Sequence, residues 1–200
     1  MIRNVVFDIG WVLVHLDYQP LIEALRAHGA DVSDRDSVMR RIRLEDHETG
    51  RLAGSGLLER LTALSDARTP LPPEVARARW VDMFAIDPAM VALAHRLSER
   101  YRVYLLSNIG DLHWAHLARE YRLHAIGHGA LPSYLAGVMK PAPGIYAEAE
   151  RRFALEPGAT VFIDDLEANI ATARARGWHG IVHEDYAGTR AALRRIGVAD

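Results

Sequence analysis

The chain has 200 residues, half of them apolar, with no cysteine and a formal net charge of -2. A chain of this length can bury enough surface to fold without disulfides or a structural metal, and the lack of cysteine excludes thiol catalysis and thiolate metal sites. The near balance of 26 acidic and 24 basic residues excludes a global field that would favour nucleic acid or an anionic membrane.

The N-terminal segment does not resemble a secretory signal. Its apolar stretch, Val5 to Val14, is interrupted by Asp8, and no small-residue cleavage site follows it. No apolar run approaches the ~20 residues that a membrane-spanning helix needs. We therefore expect a cytoplasmic globular protein that binds neither nucleic acid nor a membrane.

Short apolar runs that end in polar residues predict strands buried on both faces. In chain order these runs are 4–8, 102–107, 160–165 and 180–183, with 124–127 as a weaker fifth. Apolar residues at helical spacing cover 88–101, 111–121, 143–155 and 166–176. This alternation predicts an α/β fold, with a Rossmann-like parallel sheet flanked by helices on both faces.

Residues 15–87 break the alternation, because they show helical periodicity alone. Four groups of apolar residues at helical spacing predict four helices, the last of them preceded by Pro70, Pro72 and Pro73. We therefore expect two domains. An α/β core domain would comprise 1–14 and 88–200, and a four-helix cap domain, 15–87, would be inserted after the first strand.

Polar side chains stand where the three clearest strands end. Asp8 ends the first strand, Ser107 and Asn108 end the second, and Asp164 and Asp165 end the third. Because ligands of open parallel sheets bind beyond the carboxyl ends of the strands, we expect these side chains to share one site. The alternative is that they only cap the helices that follow.

Lys140 is the only lysine among 24 basic residues, and it lies in a loop that leads into a helix. Its retention indicates either a need for a compact ammonium group, which arginine cannot replace, or chance survival in an arginine-biased composition. Converging carboxylates favour a hard cation such as Mg²⁺, shared with substrate phosphate, while lysine and serine bind phosphate oxygens. With Asp8 free to attack, the set fits an aspartyl-phosphate mechanism.

Four segments resemble, in order and spacing, the motifs of the haloacid dehalogenase (HAD) superfamily. They are VVFDIGWVL at 5–13, LLSN at 105–108, GVMKP at 137–141 and VFIDDLEANI at 161–170. The insertion resembles that superfamily's helical cap, and HETG at 47–50 matches a cap element of one subgroup. That subgroup contains bacterial α-D-glucose-1-phosphate phosphatases and the N-terminal phosphatase domain of soluble epoxide hydrolase.

The resemblance implies a Mg²⁺-dependent phosphatase that hydrolyses a small phosphomonoester, such as a sugar phosphate, through an aspartyl-phosphate intermediate. The implied nucleophile and metal ligand is Asp8. Further implied ligands are the carbonyl of Gly10 and the carboxylate of Asp165, with Asp164 in support.

The same resemblance implies the residues that bind the substrate. Ser107 and Asn108 would bind the transferring phosphoryl group, and Lys140 would neutralise its charge. Trp11 and His47 are further candidates for contact with the substrate, and Asn169 is an expected outer partner of the site.

The sequence departs from the family's motif after the nucleophile. Phosphatases of the family usually carry a second aspartate two residues later, which protonates the leaving alkoxide and then activates water. That position is Gly10 here, as in the sugar-phosphate phosphatases of the resembling subgroup. Candidates to replace the missing acid are His15, His47, Glu48 and His113.

Two alternative functions stay open. Dehalogenation of a haloacid attacks carbon, needs no metal and tolerates Gly10, although the pair Asp164 and Asp165 would repel an acidic substrate. The second alternative is a protein that binds a phosphorylated ligand with slow turnover, which the missing acid would explain.

Overall fold

The computed structural model describes residues 1–199 and is built around a parallel sheet of five strands. The strands of the described chain are β1 (Asn4–Phe7), β2 (Val14–Leu16), β3 (Phe84–Ile86), β4 (Arg102–Ser107), β5 (Gly129–Pro132), β6 (Thr160–Asp164) and β7 (His179–Val182). The order across the main sheet is β5-β4-β1-β6-β7, which places β1 in the middle. Because β1 pairs in parallel with both β4 and β6, the carboxyl ends of these three strands meet at one edge.

Buried apolar side chains alternate between the two faces of the sheet. Phe7, Leu105 and Ile163 pack on one face, whereas Val6 and Phe162 pack on the other. Strands whose two faces are both covered are typical of parallel sheets. The predicted α/β fold, a Rossmann-like parallel sheet flanked by helices, is confirmed.

The insertion at 15–87 contains five α-helices, so the predicted count of four is wrong. These helices are α1 (Gln19–Ala27), α2 (Arg35–Arg41), α3 (Leu44–Glu48), α4 (Gly54–Thr62) and α5 (Pro73–Val81). The additional helix is α3, whose five residues are too few to show a period of their own. Arg43 separates α3 from α2 by adopting a left-handed conformation with φ of 57°.

The five helices pack around an apolar cluster of their own, which includes Leu25, Ile42 and Trp80. The strands β2 and β3 pair antiparallel where the chain leaves the main sheet and returns to it. Leu16 of β2 and Phe84 of β3 contact both this cluster and the cluster of the main sheet. The insertion is therefore joined to the sheet by two short strands of three residues each.

The remaining helices cover the main sheet. They are α6 (Pro88–Ser98), α7 (Asp111–Glu120), α8 (Ser133–Ala136), α9 (Pro143–Phe153), α10 (Glu167–Ala175) and α11 (Tyr186–Arg195). Apolar residues of α6, α7 and α11 pack on one face, and those of α9 and α10 pack on the other. None of the helices within 1–199 combines the length and the apolar character that a membrane span requires.

The predicted fifth strand at 124–127 is wrong in position. Leu123–Ala125 form a short 3-10 helix, and the edge strand β5 follows at Gly129–Pro132. Pro132 suits this strand, because an edge strand needs no backbone donor on its outer side.

Candidate active site

The carboxyl edge of the main sheet brings together acidic side chains from two strand ends. Asp8 follows the central strand, and Asp164 and Asp165 stand at the end of β6. One carboxylate oxygen from each of these three residues lies within 4.8 Å of the others. Ser107, which is buried, ends β4 on the opposite side of Asp8.

Lys140 enters this acidic group from the loop between α8 and α9. Its Nζ lies 2.8 Å from Asp8 Oδ1 and 2.6 Å from Asp164 Oδ2, and the residue is only 3% exposed. Burial lowers the pKa of Lys140, but Asp8 and Asp164 raise it by more, so the net shift is upward. The ammonium group therefore stays charged and bridges two carboxylates that would otherwise repel each other.

Asn108 fixes the loop that carries Lys140. Its Nδ2 donates to the backbone carbonyl of Lys140 at 2.8 Å, and the backbone N–H of Lys140 donates to Asn108 Oδ1 at 2.8 Å. This pair of hydrogen bonds ties the end of β4 to the loop, and it sets the point from which the ammonium group reaches Asp8.

The two neighbouring aspartates after β6 lie in different surroundings. Asp164 is fully buried: Oδ2 accepts from Lys140, and Oδ1 accepts from the backbone N–H of Leu166 at 2.9 Å and from Asn169 Nδ2 at 2.8 Å. Asp165 is half-buried and lines a cavity next to Asp8. Asp164 thus holds Lys140 in place, while Asp165 faces the space in which a ligand would lie.

The charge around Asp8 suits a hard cation. Burial is the main cause of a pKa of about 6 at Asp8; Lys140 lowers this pKa, and Asp164 raises it. The carboxylates of Asp8 and Asp165 and the backbone of Gly10 all border the same cavity, so the available donors are oxygens. Oxygen donors of this kind fit Mg²⁺, and a bound cation would lower the pKa of the nearby carboxyl groups.

The cavity next to Asp8 has a volume of about 310 Å³ and lies between the sheet and the insertion. From the sheet side it is lined by Asp8, Ile9, Gly10, Trp11, Ser107, Asn108, Ile109, His113, Asp165 and Leu166. From the side of the insertion and its connecting strands it is lined by Leu16, Tyr18, Arg35, Leu44, Glu48, Trp80 and Phe84. Trp11 is 48% exposed and adopts a left-handed φ of 57°.

Sequence reasoning missed Tyr18 and Arg35. The guanidinium of Arg35 lies 4.4 Å from the centroid of the Tyr18 ring. Neither residue belongs to a motif, and an arginine in the first turn of a helix is common on protein surfaces. Only the packing of the insertion over the sheet brings them to the cavity.

The predicted candidates for the missing acid occupy different places. His15 has a side chain that is 55% exposed and lies 3.6 Å from Asp87 Oδ2. His113 lines the cavity, but its Nε2–H donates to the carbonyl of Trp80 at 2.7 Å, and burial lowers its pKa to about 3. His113 is therefore neutral, with its N–H committed to a backbone carbonyl, while Glu48 lines the cavity from α3.

His47 is packed behind the cavity rather than in its lining. It is 1% exposed, and its Nδ1 lies 3.0 Å from the carbonyl of Leu52. Its ring lies directly against the backbone of Gly110, where a Cβ atom would clash with it. His47 thus makes a packing contact with the backbone of Gly110, and its contact with the substrate stays a prediction.

Comparison with known proteins agrees with this geometry. The haloacid dehalogenase-like hydrolase family matches residues 2–177, so the chain belongs to this family and is a hydrolase. The predicted superfamily is confirmed.

Individual relatives cover nearly the whole chain. A D-ribitol-5-phosphate phosphatase from Bacteroides thetaiotaomicron is 29% identical over 205 residues, which cover 98% of both proteins. A HAD family enzyme from the same species, solved in complex with magnesium and inorganic phosphate, is 25% identical with a TM-score of 0.80, covering 92% of this chain and 95% of that one. A HAD-like family hydrolase from Porphyromonas gingivalis is 27% identical with a TM-score of 0.79, covering 100% of both chains.

Proposed function

We propose that this protein is a Mg²⁺-dependent phosphatase that hydrolyses a small sugar or polyol phosphate. The observation that carries this proposal is the position of Asp8, which shares the Lys140 ammonium group with Asp164 and borders a cavity beside Asp165. The similarity to a D-ribitol-5-phosphate phosphatase supports the reaction and the substrate class.

In the proposed reaction, an oxygen of Asp8 attacks phosphorus, and the bond between phosphorus and the ester oxygen breaks. Ser107 and Lys140 bind the phosphoryl oxygens, and Asp164 keeps the ammonium group in position. The carboxylates of Asp8 and Asp165 and the carbonyl of Gly10 would hold Mg²⁺. When bound, this cation neutralises negative charge on the phosphoryl group.

The insertion at 15–87 would act as a cap domain over a core domain formed by 1–14 and 88–200. Its separate apolar cluster supports this division, as does the pairing of β2 with β3 at the junction. The insertion supplies Tyr18, Arg35 and Glu48 to the cavity, so it would exclude water and select the substrate.

The polar groups of the cavity favour a polyhydroxylated substrate. The Tyr18 hydroxyl and the Arg35 guanidinium lie on the side that faces away from the sheet, and a cavity of about 310 Å³ fits a small metabolite. A haloacid is less suited, because the carboxylate of Asp165, which lines the cavity beside Asp8, would repel the carboxylate of the substrate when no metal is bound. The likeness to α-D-glucose-1-phosphate phosphatases stays a prediction. The cytoplasmic location also stays a prediction, and a chain without cysteine is in keeping with it.

Release of inorganic phosphate tests the proposal directly. D-ribitol 5-phosphate, α-D-glucose 1-phosphate and p-nitrophenyl phosphate are each incubated with the protein, with Mg²⁺ or with a chelator. We expect Mg²⁺-dependent release that Asp8→Asn abolishes and that Asp31→Asn, a matched change at an exposed aspartate, leaves unchanged. Full activity of Asp8→Asn would contradict the nucleophile assignment, and chloride release from 2-chloropropionate in the presence of chelator would support dehalogenation instead.

A further inference from the structure

We infer that Glu48 supplies the proton that Gly10 cannot: its carboxyl group protonates the leaving oxygen of the ester and then accepts a proton from the attacking water. This inference rests on the proposed phosphatase activity. Four observations carry it, namely the placement of Glu48, the way its backbone is held, the surroundings of the other candidates, and the space at Gly10.

Glu48 faces the proposed reaction centre from the opposite side of the cavity. It ends α3 and is half-buried, and it lines the same cavity as Asp8. Its carboxyl group interacts electrostatically with Asp8, Lys140, Arg35 and Glu45. A small phosphate ester bound with its phosphorus next to Asp8 would therefore extend its leaving group toward Glu48.

The backbone of Glu48 is fixed to the sheet rather than left to move with the insertion. Its carbonyl accepts a hydrogen bond of 2.6 Å from Ser133 Oγ, and Ser133 Oγ in turn accepts from the backbone N–H of Ile109 at 2.9 Å. Gly50, with φ of 73°, lies against the carbonyl of Tyr134 so closely that a Cβ atom would clash. The HETG segment therefore holds the backbone of Glu48 at a fixed point beside the cavity.

The position two residues after the nucleophile is open. A Cβ atom on Gly10 would meet only Leu16 Cδ1, at an ordinary contact distance of 3.5 Å.

Since His113 is neutral with its Nε2–H committed, Glu48 is the one predicted candidate that both lines the cavity and has an ionisable group to offer.

The environment of Glu48 favours the protonated form that an acid needs. Burial is the main cause of a pKa of about 8 at Glu48; Asp8 and Glu45 also raise this pKa, and Arg35 and Lys140 lower it. The cavity also contains His113, which stays neutral, and Asp165. Most Glu48 carboxyl groups are therefore protonated near neutral pH.

The two steps balance in atoms and charge. In the first step Asp8 forms a bond to phosphorus, the ester P–O bond breaks, and the leaving alkoxide takes the Glu48 proton to become an alcohol. In the second step the Glu48 carboxylate takes a proton from water as the water oxygen attacks phosphorus. The bond between phosphorus and Asp8 then breaks, which restores the free aspartate and the protonated Glu48 and releases inorganic phosphate.

Two esters with different leaving groups test this role through kcat/KM, which reports the first step. An alkoxide leaving from D-ribitol 5-phosphate needs a proton, whereas nitrophenolate leaving from p-nitrophenyl phosphate does not. We expect Glu48→Gln to lower kcat/KM about 10²- to 10⁴-fold for D-ribitol 5-phosphate and only a few-fold for p-nitrophenyl phosphate. Glu59→Gln, a matched change at an exposed glutamate of α4, should leave both values unchanged.

The pH profile gives a second reading that does not depend on folding of the Gln variant. In the wild-type protein and in Glu48→Asp, which keeps a carboxyl group, kcat/KM for D-ribitol 5-phosphate should fall above a pH near 8. Equal losses for both esters in Glu48→Gln, a rise in KM alone, or a flat alkaline profile in the wild type would overturn the inference. A wild-type protein that hydrolyses only p-nitrophenyl phosphate would also overturn it, whereas hydrolysis of neither ester would refute the proposed function itself.

Discussion

Removing the ammonium group of Lys140 should destabilise the protein in a manner that depends on pH. Lys140→Met keeps the length and the apolar stem of the side chain but leaves Asp8 and Asp164 buried without their shared cation. Loss of one partner from a buried ion pair costs roughly 3–5 kcal/mol. Asp164 keeps its hydrogen bonds from Leu166 and Asn169, so most of the change should fall on Asp8.

The pH dependence follows from the pKa of Asp8. In the wild type, burial raises this pKa to about 6, although Lys140 lowers it, so removal of Lys140 raises it further. A carboxyl group with a raised pKa in the folded state loses stability as pH rises through that pKa, at about 1.4 kcal/mol per pH unit. The deficit of Lys140→Met relative to the wild type should therefore be larger at pH 8 than at pH 5.

Urea unfolding with a chelator present, at pH 5 and pH 8, measures the two deficits. We expect the deficit at pH 8 to exceed the deficit at pH 5 by at least about 1 kcal/mol. The double variant Lys140→Met with Asp164→Asn serves as the control, because it removes one of the two repelling charges and should recover part of the loss. A deficit that is the same at both pH values, or below about 1 kcal/mol at pH 8, would refute this electrostatic reasoning.

Two further predictions concern stability. Because burial raises the pKa of Glu48 from 4.5 to about 8, the wild type should lose stability as the pH rises between these values. In thermal melts the stability of Glu48→Gln relative to the wild type should therefore increase as the pH rises to 8, and parallel pH curves would contradict this. Gly110→Ala should lower the free energy of unfolding by about 1–3 kcal/mol, because its Cβ would clash with the buried His47 ring. In the same urea series Gly158→Ala, whose Cβ meets nothing within 4 Å, should be near neutral, and equal effects of the two alanines would count against the clash.

The parts of the site that the sequence predicts are those with a local signal. The runs that become β1, β4 and β6 have apolar interiors, which are followed at once by Asp8, Ser107 and Asp164, so both the strands and their reactive ends can be identified. Lys140 stands out because it is the only lysine. For these residues the rules for parallel sheets are enough to predict that they meet.

The parts that escaped prediction depend on tertiary packing. The three-residue strands β2 and β3 are too short to show alternation, and α3 is too short to show a helical period. Arg35 looks like an ordinary surface arginine until the insertion is packed over the sheet. His47 and Glu48 are neighbours in one segment, yet one packs against Gly110 and the other faces the cavity, and the sequence cannot separate these two roles.

The proposed reaction needs two carboxyl groups in opposite protonation states within one cavity, and the structure separates their environments. Asp8 receives the Lys140 ammonium group at 2.8 Å and the N–H of Ile9 at 2.7 Å, and both favour the ionised form that attacks phosphorus. At Glu48 the effect of burial exceeds that of the two cations, Arg35 and Lys140, so the protonated form is favoured. Because the first group comes from the sheet and the second from the insertion, catalysis would require both parts of the chain, and an acid placed on α3 makes a side chain at Gly10 unnecessary.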